Sequence, residues 1–227
     1  MTDTEIRERL RERLHEVEQR ITAACRRVDR VRASVTLVAV TKTVSARVAG
    51  FLPELGVVHF GESRPQQLVR KSRELKGLGI QWHQIGHLQR NKIDDLVGMT
   101  TLIHSVDSPR LLEALNKQAS SPLSCLLEVN ASREEAKHGF APEEIPAVIA
   151  TLGQYPNLNV QGLMTMAANV DDPELVRSTF RELRQLRNSN KLHQLSMGMS
   201  NDFEVAIEEG ATLIRLGSIL FEGLPAE

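Results

Sequence analysis

From residue 35 onward, short β-branched runs alternate eight times with segments of helical character. The runs are VTLVAV at 35–40, VVHF at 57–60, IQWHQI from 80, TLIHSV from 101, LSCLLEV from 123, LNVQGLMTM from 158, LHQLSM from 192 and TLIRL from 212. Between them lie helical stretches such as PQQLVRKSRELK from 65, SPRLLEALNKQA from 108, PEEIPAVIATL from 142, DPELVRSTFRELRQLR from 172 and NDFEVAIEE from 201. Strands joined by crossovers pair in parallel, and several of these runs are apolar on both sides of the pleat, as strands covered on both faces must be. Eight such units in 227 residues favour closure into a (β/α)8 TIM barrel, with a doubly wound open sheet as the alternative. Ahead of them, Ile6, Leu10, Leu14, Val17, Ile21, Ala24 and Val28 recur three or four apart behind a Thr2/Glu5 capping box, which predicts an extra N-terminal helix over residues 1–30. No linker-like tract interrupts the chain, so residues 1–227 read as one domain with the barrel at 35–223.

Charge excludes some functions. The 28 Lys+Arg nearly cancel the 29 Asp+Glu, which leaves no global field for nucleic acid or an anionic membrane. Cys25 and Cys125 stand far apart without metal-ligand spacing and read as reduced structural thiols. The polar start TDTEIRERLRERL and the lack of a long apolar run predict a soluble, cytoplasmic protein.

In a barrel of this kind the loops after the strands form the active face. Polar residues collect there: Thr41 and Lys42 after the first run, Gly61, Glu62 and Ser63 after the second, Glu128 and Asn130 after the fifth, Gly198, Met199 and Ser200 after the seventh, and Arg215, Gly217 and Ser218 at the eighth. Lys42 sets an amine directly behind a run that should be buried, a setting in which lysines attack carbonyls; a solvated strand-end lysine is the alternative. Gly198 permits a tight turn, and Ser200 stands where the next helix would take its N-cap. Gly217 allows close backbone approach and Ser218 adds a hydroxyl, so the two segments could share one phosphate or could merely cap and turn the chain. His83 and His87, four apart, straddle a strand end and are not expected to share a metal; no metal site is expected. Asn91, Lys92 and Lys137 are open between roles near the mouth and plain loop charges.

Seven segments in order, VAVTKTV, HFGES, WHQIGHLQRNK, NASREEAKHGF, GLMTM, LSMGMSNDFEVAI and IRLGSILFEG, resemble the pyridoxal-phosphate homeostasis proteins, relatives of the barrel domain of alanine racemase. The resemblance implies pyridoxal 5′-phosphate (PLP) held as an imine on Lys42, phosphate contacts from Ser200, Gly217 and Ser218, and Arg215 facing the pyridine nitrogen. Ser63 and His87 depart from the usual FGEN and GPLQ, so Ser63 is left out of the expected site and His87 is a titratable ring of unassigned purpose.

The resemblance implies a protein that holds PLP and releases it by exchange without committed catalysis. A weak amino-acid racemase is the alternative, but the single tyrosine, Tyr155, sits in a turn ahead of the sixth run, and a cation at the pyridine nitrogen weakens the electron sink. A third reading takes the basic helix from Arg64 to Lys76, with Arg70, Lys71 and Arg73, as an RNA or protein docking face. Expected partners are PLP and PLP-dependent apoenzymes; no nucleic acid and no membrane are expected, and the chain is expected to be a monomer.

Overall fold

The computed structural model describes residues 1–134 and 136–226. Its strands are β1 (Thr36–Val40), β2 (His59–Glu62), β3 (Gln81–Gln84), β4 (Leu102–Val106), β5 (Leu123–Glu128), β6 (Leu158–Met164), β7 (Gln194–Ser196) and β8 (Leu213–Leu216). They pair in parallel, each with its sequence neighbour, and β1 closes on β8, so the sheet is a barrel and the open-sheet alternative falls. The helices are α1 (Asp3–Arg27), α2 (Ala46–Ala49), α3 (Pro65–Glu74), α4 (Pro109–Gln118), α5 (Ile145–Thr151), α6 (Arg177–Ser189), α7 (Phe203–Glu208) and α8 (Ser218–Phe221). Between β3 and β4 the described chain makes only a short 3-10 turn at Arg90–Lys92.

Register sorts the side chains. Val38 stands opposite Arg215, and Met164, Ser196 and Leu213 stand opposite one another across β6, β7 and β8. Residues level with each other in a parallel sheet point to the same side. Val38, Leu102, Leu126, Met164 and Leu213 accordingly form a small apolar cluster of their own, separate from the larger core between strands and helices. We place this cluster inside the barrel, so Arg215 and Ser196 also point inward.

The expected N-terminal helix forms with its capping box: Thr2 Oγ1 accepts from Glu5 N at 3.3 Å, and Thr2 N donates to Glu5 Oε2 at 2.7 Å. Its buried stripe packs against α7 and α8, each aliphatic side chain contributing about 1.5–3 kcal/mol of burial. Arg30, just beyond α1, donates to the Ile207 and Ala211 carbonyls at 2.6 and 2.7 Å and satisfies the end of α7.

Candidate functional site

At the carboxyl-terminal mouth a cavity of about 380 Å³ is lined by Lys42, Ser200, Arg215, Gly217 and Ser218, together with Ser63, Met166 and Asp202. All five residues singled out in the sequence thus face one space, and Ser63 joins them. Lys42 is exposed, in the turn that follows β1, while the adjacent Thr41 is fully buried. The buried setting expected around Lys42 therefore stops one residue short of it.

Thr41 is anchored from beneath. Its Oγ1 donates to Glu62 Oε1 at 2.6 Å, and Lys71 Nζ donates to the same oxygen at 2.8 Å and to the Thr41 carbonyl at 2.7 Å. Glu62 and Lys71 are both fully buried. Lys71 consequently leaves the basic face proposed for α3: it points inward, one helical turn beyond the buried Leu68, and braces the backbone that carries Lys42.

The opposite wall comes from β7 and β8. Gly198 has φ +92°, and a Cβ there would lie 2.6 Å from Ala206 Cβ, so only glycine makes this turn. The expectation that Ser200 caps the next helix is corrected. The N-cap of α7 is Asp202, whose carboxylate accepts from Met199 N at 2.6 Å. Ser200 Oγ instead faces the start of α8, where it accepts from Ile219 N at 3.4 Å and lines the cavity with Ser218.

Arg215 is buried at the floor. It donates to Ser196 Oγ at 2.5 Å and to the Thr165 carbonyl at 2.9 Å. Burial lowers its pKa to about 10, while Asp202 and Glu128 favour its charge. From Ser196 a line of hydrogen bonds crosses the barrel: His104 Nδ1 at 2.8 Å, then His104 Nε2 to His83 Nδ1 at 2.8 Å, then His83 Nε2 to His59 Nδ1 at 3.0 Å. Burial holds His83 down at about 3, with the neighbouring His59 adding to the effect, and holds His104 well below the usual range. The rings are therefore neutral. Arg215 can only donate, so Ser196 Oγ accepts from it, and the hydrogen bonds through the three rings connect that hydroxyl to a basin lined by His59, His83 and Gln194.

Sequence reasoning missed Ser196 and His104; His83 is a hydrogen-bonded ring inside the barrel and does not line the mouth cavity. His87 lies exposed on the rim, where its Nδ1 donates to Asp107 Oδ2 at 2.9 Å, while His83 is bonded to His59 and His104. Lys137 is ion-paired with Glu134 at 2.5 Å and also reaches the Met166 carbonyl at 3.3 Å. Glu128 is pushed up to about 7, first by burial and then by Asp107. Among the described residues no helix is long and apolar enough to cross a membrane.

Fold and cavity define a (β/α)8 barrel protein with a small-molecule cavity at its carboxyl-terminal mouth. The chain belongs to the family described as the alanine racemase N-terminal domain, which matches residues 16–225. It is 42% identical to a pyridoxal phosphate homeostasis protein of Aquifex aeolicus over 92% of this chain and 96% of that one. Among solved structures, one described as an unknown protein from Bifidobacterium adolescentis matches with a TM-score of 0.91 at 33% identity, over 97% of this chain and 98% of that one. PipY of Synechococcus elongatus, solved with PLP bound, matches with a TM-score of 0.80 at 31% identity, over 93% and 99% of the two chains.

Proposed function

We propose that this chain binds PLP in the mouth cavity, with Lys42 as the covalent attachment point, and acts as a PLP homeostasis protein without committed catalysis. The observation that carries the reading is that an amine, two serine hydroxyls and a buried guanidinium line one cavity of about 380 Å³. This donor set fits the cofactor: when bound, PLP supplies a carbonyl that condenses reversibly with an amine. Ser200, Gly217 and Ser218 would hold the phosphate; a Cβ on Gly217 would stand 3.3 Å from the Val40 carbonyl, a tight fit. Arg215 would face the pyridine nitrogen. Ser196 and Thr165 hold it in place; a guanidinium has no acceptor for a ring N–H, and its charge opposes protonation there. The chain's single tyrosine, Tyr155, precedes β6 on the amino-terminal side and cannot serve as a base at this mouth. The likeness to PipY and to the Aquifex protein supports the same reading. Release would pass PLP to apoenzymes by exchange at Lys42, from a monomer in the cytoplasm.

The test is borohydride reduction of the PLP-loaded protein followed by peptide mapping. The label should sit on Lys42 and vanish in a folded Lys42→Ala variant; label on Lys137 alone would defeat the assignment. Turnover of an amino acid at an enzymatic rate by the same preparation would favour the racemase alternative.

A further inference from the structure

Three loops on the far side of the mouth bring together residues that PLP binding does not use. His87 follows β3, Asp107 follows β4 and His138 follows β5, and one donor atom from each lies within 4.8 Å of the others. We propose that His87, Asp107 and His138 form a rim site for a borderline divalent transition ion of the Zn²⁺ class.

Each ligand sits on backbone that the barrel holds in place. The carbonyl of Gly86, next to His87, accepts from Ser105 Oγ at 2.6 Å and from Gln84 Nε2 at 2.9 Å, which ties the first loop to the end of β4 just ahead of Asp107. A Cβ on Gly86 would overlap the Ser63 backbone at 2.4 Å, so the chain packs there with no slack. On the third loop, Phe140 N donates to the Glu128 carbonyl at 2.8 Å and Asn130 N donates to the Phe140 carbonyl at 2.9 Å. Gly139 between them has φ +115°, and a Cβ on it would meet Asn130 N at 2.8 Å. His138 is thus delivered to the rim by a turn that only glycine permits.

Two imidazoles and a carboxylate are the donor set of a borderline ion, whereas Mg²⁺ and Ca²⁺ call for oxygen ligands. His87 Nδ1 and Asp107 Oδ2 are already 2.9 Å apart, and the His87 and His138 rings stack with centroids 4.3 Å apart at 19°. Donors around one Zn²⁺ at about 2.0–2.1 Å stand roughly 3.3 Å from each other, a closure that the exposed rings of His87 and His138 reach by side-chain rotation. Three protein ligands leave positions for water, in keeping with the site's exposure.

The test is titration of the purified protein with Zn²⁺ by calorimetry, with Mg²⁺ as the contrasting ion. One Zn²⁺ per chain should bind, Mg²⁺ should not compete, and His87→Ala/His138→Ala should weaken Zn²⁺ at least a hundredfold while circular dichroism stays unchanged. Asp107→Asn should weaken it at least tenfold, and His15→Ala, far from the rim, should leave it as it was. Absence of Zn²⁺ binding, or equal binding by the double variant, would overturn the proposal. Neither result depends on whether PLP binds at Lys42.

Discussion

Arg215 and Ser196 meet at 2.5 Å inside the barrel, guanidinium to hydroxyl, on neighbouring strands whose residues point inward. The contact does two things: it orients a buried cation that faces the mouth cavity, and it joins that cation to the line of histidines behind it.

Replacing Ser196 by Ala therefore strands two buried groups, Arg215 Nη1 and His104 Nδ1. The cost should be about 1–3 kcal/mol in urea unfolding. PLP retention should fall as well, because Arg215 loses its orientation; a variant with unchanged stability and retention would show the contact to be incidental.

The histidine line predicts a pH dependence. His83 has its folded pKa depressed to about 3, so the unfolded chain takes up a proton below its ordinary value near 6.5 while the folded chain does not. Stability is present above about pH 6.5 and is lost as pH falls toward 3, at about 1.4 kcal/mol per unit, hence roughly 2–3 kcal/mol between pH 7 and 4.5. His83→Gln should make the slope shallower by His83's share, while His104, also held well below its usual range, keeps its own; urea midpoints at the two pH values make the comparison.

Lys71 and Glu62 form a fully buried pair beneath Thr41. Lys71→Met should cost about 3–5 kcal/mol by leaving a buried carboxylate uncompensated, whereas Glu62→Gln/Lys71→Met together should recover much of the loss. Since the pair braces Thr41, Lys71→Met should also slow borohydride trapping at Lys42, which mass spectrometry would follow.

At Arg215 the charge can be tested only with a side chain that the site tolerates. Glu128 and Asp202 lie close enough to act on Arg215, so Arg215→Glu would add a third carboxylate to a buried corner and should unfold the protein. Arg215→Gln keeps donors without the charge. With matched PLP occupancy it should raise deuterium exchange at Cα of L-alanine above the wild-type rate, measured by NMR; an equally inert variant would show that the arginine does not restrain the chemistry.

Much of this was legible in the chain. Strand runs of period two or unbroken apolarity, spaced by helical stretches, specified eight parallel strands, because burial on both faces demands that pattern. The capping box of α1 and its stripe from Ile6 to Ala24 were local and formed as read, whereas Val28, read as the last member of the stripe, is the C-cap and is exposed. Lys42, Ser200, Arg215, Gly217 and Ser218 could be placed near one mouth because strand ends are ordered around a barrel.

Other features were settled only by tertiary packing. The basic run in α3 does not reveal that Lys71 turns inward, because its partner Glu62 is on another element and only their shared burial selects that side. Ser196 and His104, 92 residues apart, meet because closing the barrel brings β4 and β7 across a common interior. Ser200 reads as a cap in the linear chain, yet Asp202 takes the role through a local bond to Met199 N, while the contact that engages Ser200 Oγ, from Ile219 N nineteen residues on, exists only once the barrel has closed. The sequence by itself determined the elements and the order of residues around the mouth, through periodicities that depend on near neighbours. Which polar side chain turns inward, and what it meets there, was decided by the fold, because a buried polar group settles where its hydrogen bonds can be made.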